Sequence, residues 1–183
     1  MKIKKQKQNL LINTDNKNVL LYNNGDLNIT EYSAVVNFSD SKENANNVIS
    51  IPGEYEIEDI LYSVFAFGDN LDHPDILFLD SNENIRVLYV LSNVENIDKS
   101  IIDKLPNIDI VIAHIDDTKI VSKLQIVSDI EPNYFIPLVD KSRIEEISKE
   151  MGIANIEQVT TLNVNSKDID EESSDLKVYL LNN

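Results

Sequence analysis

The sequence predicts an α/β layered sandwich in a single domain spanning residues 1–183. The first half contains short apolar runs separated by polar turns, which is the pattern of β-strands. After residue 95 the apolar spacing alternates between helical and strand periods, as it does when helices cover a sheet. The chain has no internal repeat and no long linker, and its 183 residues suit one domain with a sizeable core.

The first half is predicted to be a series of strands with Asn-, Asp- and Gly-rich turns between them. The predicted strands are 9–13, 19–22, 33–37, 52–57, 60–67, 76–80 and 85–91. Within this series, 52–57 and 60–67 form a hairpin whose turn is Glu58-Asp59. Pro52 fixes φ at the start of the hairpin and Gly53 allows a sharp bend, so the strand that follows can alternate its faces.

The second half is predicted to alternate helices with buried strands. Its predicted helices are 97–105, 118–130 and 141–151, and its predicted strands are 108–114, 134–139 and 176–181. The stripe Ile120, Val121, Leu124 and Val127 marks the buried face of the second helix, and Gly152 closes the third. The strand 108–114 is apolar throughout, as expected for a strand covered on both faces.

Composition excludes several classes of function. A net charge of −16 and a pI near 4.3 argue against nucleic-acid partners, because a phosphate backbone requires clustered Lys and Arg. The absence of cysteine excludes disulfides, thiol nucleophiles and zinc-thiolate sites, and it suits a reducing cytoplasm. No apolar stretch has the length of a signal peptide or membrane span, so we expect a cytoplasmic protein without membrane contact.

Two segments are similar to a known family. The segment 47–60, which reads NVISIPGEYEIEDI, resembles the hairpin of small metal-dependent hydrolases of the metallo-β-lactamase fold. The segment 125–138, which reads QIVSDIEPNYFIPL, is similar to that family's helix, turn and strand leading to its last metal ligand. The resemblance covers nearly the whole chain. It implies a compact four-layer αβ/βα sandwich with a zinc site at one edge, between two sheets.

The positions of the family's metal ligands are occupied here by other residue types. The family's first motif, His-x-His-x-Asp-His, corresponds to 37–44, which contains no histidine. Its later His, bridging Asp and last His correspond to Gly68, Ser92 and Val139. Catalytic zinc is held by about three protein ligands and lowers the pKa of its water to roughly 7. The resemblance therefore implies a degenerate member with no zinc cofactor and no catalytic residues.

Other residues near the vestigial site admit different interpretations. The vestigial positions are Phe38, Asp40, Glu43, Gly68, Asp69, Ser92, His114, Asp116 and Val139. Clustered carboxylates among them suit Mg²⁺ or Mn²⁺ rather than zinc. His114 ends a buried strand, where functional groups gather in α/β folds, but it also suits a helix cap through the aspartates that follow. His73 is predicted to be an exposed loop residue, and Ser92 has no recognisable histidine base in the sequence.

Three functional hypotheses follow. The first is a pseudoenzyme retained as an interaction, assembly or ligand-binding module, with a protein partner or a second copy of the chain as its partner. The alternative is a metal-dependent hydrolase with a non-standard carboxylate site for Mg²⁺ or Mn²⁺. A small-molecule module would instead require a preformed pocket lined by Phe38, Phe67, Leu91 and Val139. The acidic run 168–175 is predicted to be a solvated loop or a docking segment for a basic partner.

Overall fold

Two β-sheets pack face to face in the computed structural model, which describes residues 1–25, 28–39, 45–116, 120–153, 156–169 and 175–182. The strands in chain order are β1 (Lys2–Gln6), β2 (Asn9–Thr14), β3 (Lys17–Tyr22), β4 (Ala34–Asn37), β5 (Val48–Ile49), β6 (Gly53–Ile57), β7 (Ile60–Phe65), β8 (Ile76–Asp80), β9 (Arg86–Val90), β10 (Ile110–His114), β11 (Tyr134–Leu138), β12 (Glu157–Val159), β13 (Thr161–Asn163) and β14 (Lys177–Leu181). The helices are α1 (Lys99–Ile102), α2 (Ile120–Ile130) and α3 (Ile144–Met151).

The first sheet has six strands in the order β13-β1-β2-β3-β4-β5. Strands β13 to β3 pair antiparallel, and β3, β4 and β5 pair parallel. Lys2 and Lys4 are exposed on alternate positions of β1, and Ile3 between them is fully buried. Lys2 and Lys4 therefore lie on the solvent face of an interior strand, because side chains alternate between the two faces of a sheet.

The second sheet has eight strands in the order β12-β14-β11-β10-β9-β8-β7-β6. Strands β6 to β9 form an antiparallel meander, whereas β9, β10, β11, β14 and β12 are parallel. One register row crosses the sheet through Phe65, Ile76, Val90, Ala113 and Pro137. Strands β7, β9, β10 and β11 run in the same direction, and each ends in this row or one residue beyond it, at one edge of the sheet.

The apolar core has three parts that define the layers. The largest lies between the sheets and includes Leu21 and Val36 of the first sheet with Leu79 and Ile112 of the second. A second part lies between the other face of the second sheet and the helices, with Ile126 of α2 and Ile147 of α3. The outer face of the first sheet carries a small cluster of Leu20, Tyr22 and Val35 beneath the segment 29–32. The predicted α/β class is confirmed by this arrangement.

The predicted hairpin is present with the predicted turn. Strands β6 and β7 pair antiparallel from Gly53 opposite Val64 to Ile57 opposite Ile60. Glu58 and Asp59 both have positive φ, 51° and 64°, as a two-residue turn between right-twisted strands requires. Local turn chemistry was therefore a sufficient guide to this element.

Two predictions about helices are wrong. The helix predicted over 97–105 is only the four-residue α1, which begins after the Asp98 cap. Val121, placed on the buried stripe of α2, is 70% exposed, and Lys123 is fully buried in its stead. The buried face of α2 therefore differs from the predicted face, because the Lys123 ammonium donates a hydrogen bond to a carbonyl in the interior.

The third helix and the short strands complete the comparison. Residues 141–143 form a 3₁₀ turn before α3, which ends at Gly152 with a left-handed φ of 66°, as predicted. The short strands β5, β12 and β13 were not predicted, since they are too short for an apolar period to be recognised.

Most of the acidic run lies at 170–174, outside the described residues. No helix in the described ranges is both long and apolar enough to cross a membrane.

Candidate functional site

The predicted site positions lie at the ends of neighbouring strands. Ser92, His114 and Val139 follow or end β9, β10 and β11, and Gly68 lies three residues beyond the end of β7. These strands end at the same edge of the second sheet. Phe38 directly follows β4 in the first sheet. The topology therefore brings residues distant in sequence to one edge of the sandwich.

The carboxylates proposed as an oxygen-ligand site are only partly described. Asp40 and Glu43 lie outside the described residues. Asp69 is exposed in the turn after Gly68, and Asp116 is partly buried just beyond β10. In the described part of the chain, no group of three or more His, Asp and Glu side chains is placed to hold a metal ion. The Mg²⁺ or Mn²⁺ site therefore stays a prediction.

Between the sheets at this edge lies a cluster of rings around Tyr89. The Tyr89 side chain is fully buried, and its ring centroid lies 4.8 Å from the ring of Phe38 and 5.3 Å from that of His114. The Tyr89 hydroxyl oxygen lies 2.5 Å from His114 Nε2, and 2.9 Å and 3.0 Å from Nδ2 and Oδ1 of Asn23. The interior space beside His114 is thus occupied by side chains bonded to one another.

The environment of this cluster keeps both ring groups uncharged. Burial, which is the largest cause, and the positive charges of Lys123 and Lys5 together lower the pKa of His114 to about 4. Burial also raises the pKa of the Tyr89 hydroxyl, although its hydrogen bond with Asn23 opposes the effect. At neutral pH the pair is therefore a neutral imidazole beside a neutral phenol, and the phenol proton can be donated to Nε2.

Lys123 is the buried cation of this edge. Its side chain extends from α2 and is fully buried, and its Nζ donates a hydrogen bond to the main-chain carbonyl of Leu91. The same carbonyl accepts the N–H of Val94 and so closes the turn after β9. A buried ammonium requires such partners, because transfer of a charge from water is otherwise costly. Lys123 therefore anchors the turn that carries Ser92.

The residues at the strand ends do not fit a zinc ion of the kind the family resemblance implies. Gly68 and Val139 have no ligand atom in their side chains, and a serine hydroxyl is a weak zinc ligand compared with imidazole or carboxylate. His114 is the one histidine at these positions, and its Nε2 is hydrogen-bonded to Tyr89. A catalytic zinc site needs about three good protein ligands, and the described residues at these positions supply at most one.

Beside Ser92 lies a cavity of about 370 Å³. Its lining residues are Phe67, Asn70, His73, Asp75, Leu91, Ser92 and Asn93. Phe67 and Leu91 were predicted to line a pocket here, whereas the predicted walls Phe38 and Val139 are not part of this lining. Phe38 packs into the core between the sheets, and Val139 packs against the core beneath the helices.

Asp75 organises one wall of this cavity. Its side chain is almost fully buried, and its carboxylate accepts the Phe67 main-chain N–H at 2.7 Å and the Asn93 Nδ2 at 2.6 Å. The carboxylate also lies 3.2 Å from His73 Nδ1, and the His73 side chain is only 22% exposed. His73 lies in a loop, as predicted, but the prediction that it is exposed is wrong, because its ring contacts a buried carboxylate.

Sequence reasoning missed Tyr89, Asn23, Lys123 and Asp75. Tyr89 lies in an apolar strand and appeared to be an ordinary core residue, and Asp75 appeared to be one more carboxylate in an acidic chain. Lys123 lies three residues after Ile120 and four before Val127, which is helical spacing on the buried face. That spacing is the one signal that could have identified a functional residue of this edge.

We expect His114 to make stability depend on pH. Its pKa is 6.5 in the unfolded chain and about 4 in the fold, so the unfolded state binds more protons between these values. The part of the free energy of unfolding that depends on neutral His114 is then present above pH 6.5 and is lost as pH falls towards 4. Between pH 7 and pH 5 the loss is about 2 kcal/mol.

Denaturant unfolding of the wild type and of His114→Gln at both pH values measures this loss. Glutamine retains an acceptor for the Tyr89 hydroxyl and does not titrate. The wild type should lose more stability than the variant over this range, and equal losses would contradict the assignment.

Solved structures of two other proteins have a similar fold. No protein-family model matches the chain, and no curated protein sequence matches it. The structure is similar to that of a metallo-β-lactamase superfamily protein from Thermotoga maritima, assigned as a Zn-dependent hydrolase, with a TM-score of 0.74, 13% identity, and coverage of 98% of this chain and 97% of that one. It is also similar to isothiocyanate hydrolase from Delia radicum gut bacteria, with a TM-score of 0.58, 12% identity, and coverage of 91% and 100%.

Proposed function

We propose that this protein, whose fold is that of the metallo-β-lactamases, is a binding module that does not carry out metal-dependent hydrolysis. The observation that supports this most directly is the hydrogen bond of 2.5 Å between Tyr89 and His114 Nε2. This bond engages the imidazole of His114, and the Tyr89 ring packs in turn against the ring of Phe38. Solved proteins of similar fold are named as hydrolases.

The chemistry of the strand ends supports the same proposal. Zinc-dependent hydrolysis needs an ion with an open position, at which a bound water loses its proton near neutral pH. Gly68, Ser92 and Val139 offer one hydroxyl in place of imidazole and carboxylate ligands. A protein that has exchanged these ligands for small and apolar residues gains stability without metal, because unpaired polar groups in the interior are costly.

A cavity next to these positions supports binding as the function. The cavity of about 370 Å³ falls in the range of small-molecule sites, and it combines the apolar walls Phe67 and Leu91 with polar groups. An assembly role, through a protein partner or a second copy, remains a prediction from the sequence. We favour a small-molecule ligand because polar and apolar residues line the same cavity.

Metal analysis tests the proposal directly. We expect protein purified without added metal to contain far less than one zinc per chain. Its melting temperature should not change with a chelator or with added Zn²⁺, since an ion that binds only the folded state would raise it. One tightly held zinc per chain, or a melting temperature that falls with the chelator, would overturn the proposal.

Restoring histidine at two strand-end positions should destabilise the protein without metal. Gly68 has a left-handed φ of 77°, where a residue with a Cβ costs about 1–2 kcal/mol. Val139 packs against the core beneath the helices, and a polar ring would lose that contact. We expect Gly68→His with Val139→His to lower the melting temperature by roughly 5–10 °C.

The single variant Gly68→Ala serves as the control. It carries the backbone cost of a Cβ at this φ without adding an imidazole. An unchanged or higher melting temperature for the double histidine variant in chelator would contradict the expectation.

A further inference from the structure

A carboxylate, an imidazole and a hydroxyl line the cavity beside the strand ends. His73 Nδ1 lies 3.2 Å from Asp75 Oδ1, and both residues line the cavity together with Ser92. No lysine or arginine belongs to its described lining. This set lies on the loop between β7 and β8 and on the turn after β9, and none of it depends on a metal ligand.

Asp75 determines which nitrogen of His73 is basic. The carboxylate is held by the Phe67 N–H and the Asn93 amide, so it is fixed before it meets the imidazole. A carboxylate accepts the proton of Nδ1 and thereby leaves the lone pair on Nε2. The contact of the carboxylate with His73 Nδ1 therefore orients the imidazole ring.

Ser92 is positioned by a different set of bonds. It occupies the turn that runs from Leu91 to Val94, which is closed by the Val94 N–H and anchored by Lys123. The Ser92 side chain is partly buried, and Ser92 lines the same cavity as His73. A hydroxyl at a strand end and an oriented imidazole in one cavity are the residue types that a nucleophile and its general base require.

We propose that the ligand of this module is a small neutral ester, which transfers its acyl group to Ser92. His73 Nε2 accepts the proton of the Ser92 hydroxyl, and a bond forms between Ser92 Oγ and the acyl carbon. The bond from that carbon to the alcohol oxygen breaks, and His73 returns its proton to the departing alcohol. Asp75 is a positioning residue, because it acts through His73.

Hydrolysis of the acyl group follows the same path in reverse order. A water molecule gives one proton to His73 and attacks the acyl carbon, the carboxylic acid leaves, and the proton returns to Ser92. The rate of this second step decides whether the acyl group stays on the protein or is turned over. The inference rests on the proposed function, since both place a ligand in this cavity.

The walls of the cavity indicate the kind of ester. The Phe67 ring and the Leu91 side chain suit a short apolar acyl group, and the amides of Asn70 and Asn93 suit its polar end. The Asp75 carboxylate and the chain's net charge of −16 disfavour an anionic ligand. A neutral ester with a small acyl group meets these conditions.

Two probes test the proposal on the full-length protein in the presence of a chelator. A fluorophosphonate forms a bond from phosphorus to an activated serine oxygen and releases fluoride, and mass spectrometry locates the modified residue. The ester p-nitrophenyl acetate reports acylation through the released phenol. We expect modification at Ser92 and phenol release that Ser92→Ala abolishes. His73→Gln should slow both reactions by about 10²–10⁴-fold, which is the usual contribution of a general base.

Ser63→Ala is the matched control, since Ser63 lies on β7 and outside the cavity lining. Its rates should equal those of the wild type, and melting temperatures should show that all variants fold. Asp75→Asn should lower the maximal rate of both reactions more than it changes the ester concentration that gives half-maximal rate. That difference is expected of a positioning residue. Absence of modification at Ser92, or rates that do not depend on His73, would overturn the proposal. The chelator keeps this outcome separate from the metal analysis, which tests the proposed function alone.

Discussion

Tyr89→Ala should destabilise the protein by about 3–5 kcal/mol, which is the usual cost of deleting a buried aromatic ring. The Tyr89 ring is fully buried between the sheets, and it contacts both Phe38 and His114. The substitution leaves a cavity and removes the hydrogen bonds to His114 and Asn23. For a chain of this length the melting temperature should fall by roughly 10 °C or more.

Tyr89→Phe separates packing from hydrogen bonding in the same experiment. The ring remains, but His114 Nε2 and the Asn23 amide lose their partner, at a cost of about 1–3 kcal/mol. Both variants should be compared with the wild type by thermal and denaturant unfolding at neutral pH. A change of only one or two degrees for Tyr89→Ala would mean that the cluster is not a packed part of the core.

Asp75→Ala should destabilise the protein by about 2–4 kcal/mol. The buried carboxylate accepts hydrogen bonds from Phe67 N–H and Asn93 and contacts His73, so its removal leaves donors without an acceptor. Most of this cost should come from the Phe67 N–H left without an acceptor, since the Asn93 side chain is exposed and can bond to water instead. Hydrogen exchange of the amides in the loop between β7 and β8 should accelerate along with the fall in melting temperature.

Asp72→Ala is the control for this loop. Asp72 is exposed and lies three residues before Asp75, so its removal should change stability by less than about 0.5 kcal/mol. The loss of stability for Asp75→Asn should lie between the losses for these two variants, because asparagine retains one acceptor oxygen but turns an N–H₂ group towards the donors. Equal melting temperatures for Asp75→Ala and Asp72→Ala would refute the anchoring role of the carboxylate.

Sequence reasoning succeeded where the cause of the structure is local. The hairpin of β6 and β7 was predictable because Glu58-Asp59 can adopt positive φ between two strands of period two. Gly152 was predictable as the end of α3, since glycine enters the left-handed region at little cost. The resemblance also led to the correct fold class, which the similar solved structures support.

Sequence reasoning failed where neighbours in space overrule local pattern. Apolar spacing placed Val121 in the core, yet Val121 is exposed and Lys123 is buried, because the Lys123 ammonium donates a hydrogen bond to the Leu91 carbonyl. Apolar spacing also predicted a helix over 97–105, of which only four residues are helical. An isolated helix that short has little stability of its own, so packing decides its length.

By itself, the amino-acid sequence determined the class of the fold, the strong negative charge, the absence of cysteine and the presence of only two histidines, because these follow from composition and periodicity. Only the tertiary structure decided which side chains meet at the strand ends. Tyr89 and Asn23 are 66 residues apart in the chain, and Tyr89 and His114 are 25 apart. Contacts at such separations depend on how two sheets pack and in what register. The cavity that joins Ser92 to His73 and Asp75 arises in the same way, from strands that end together at one edge.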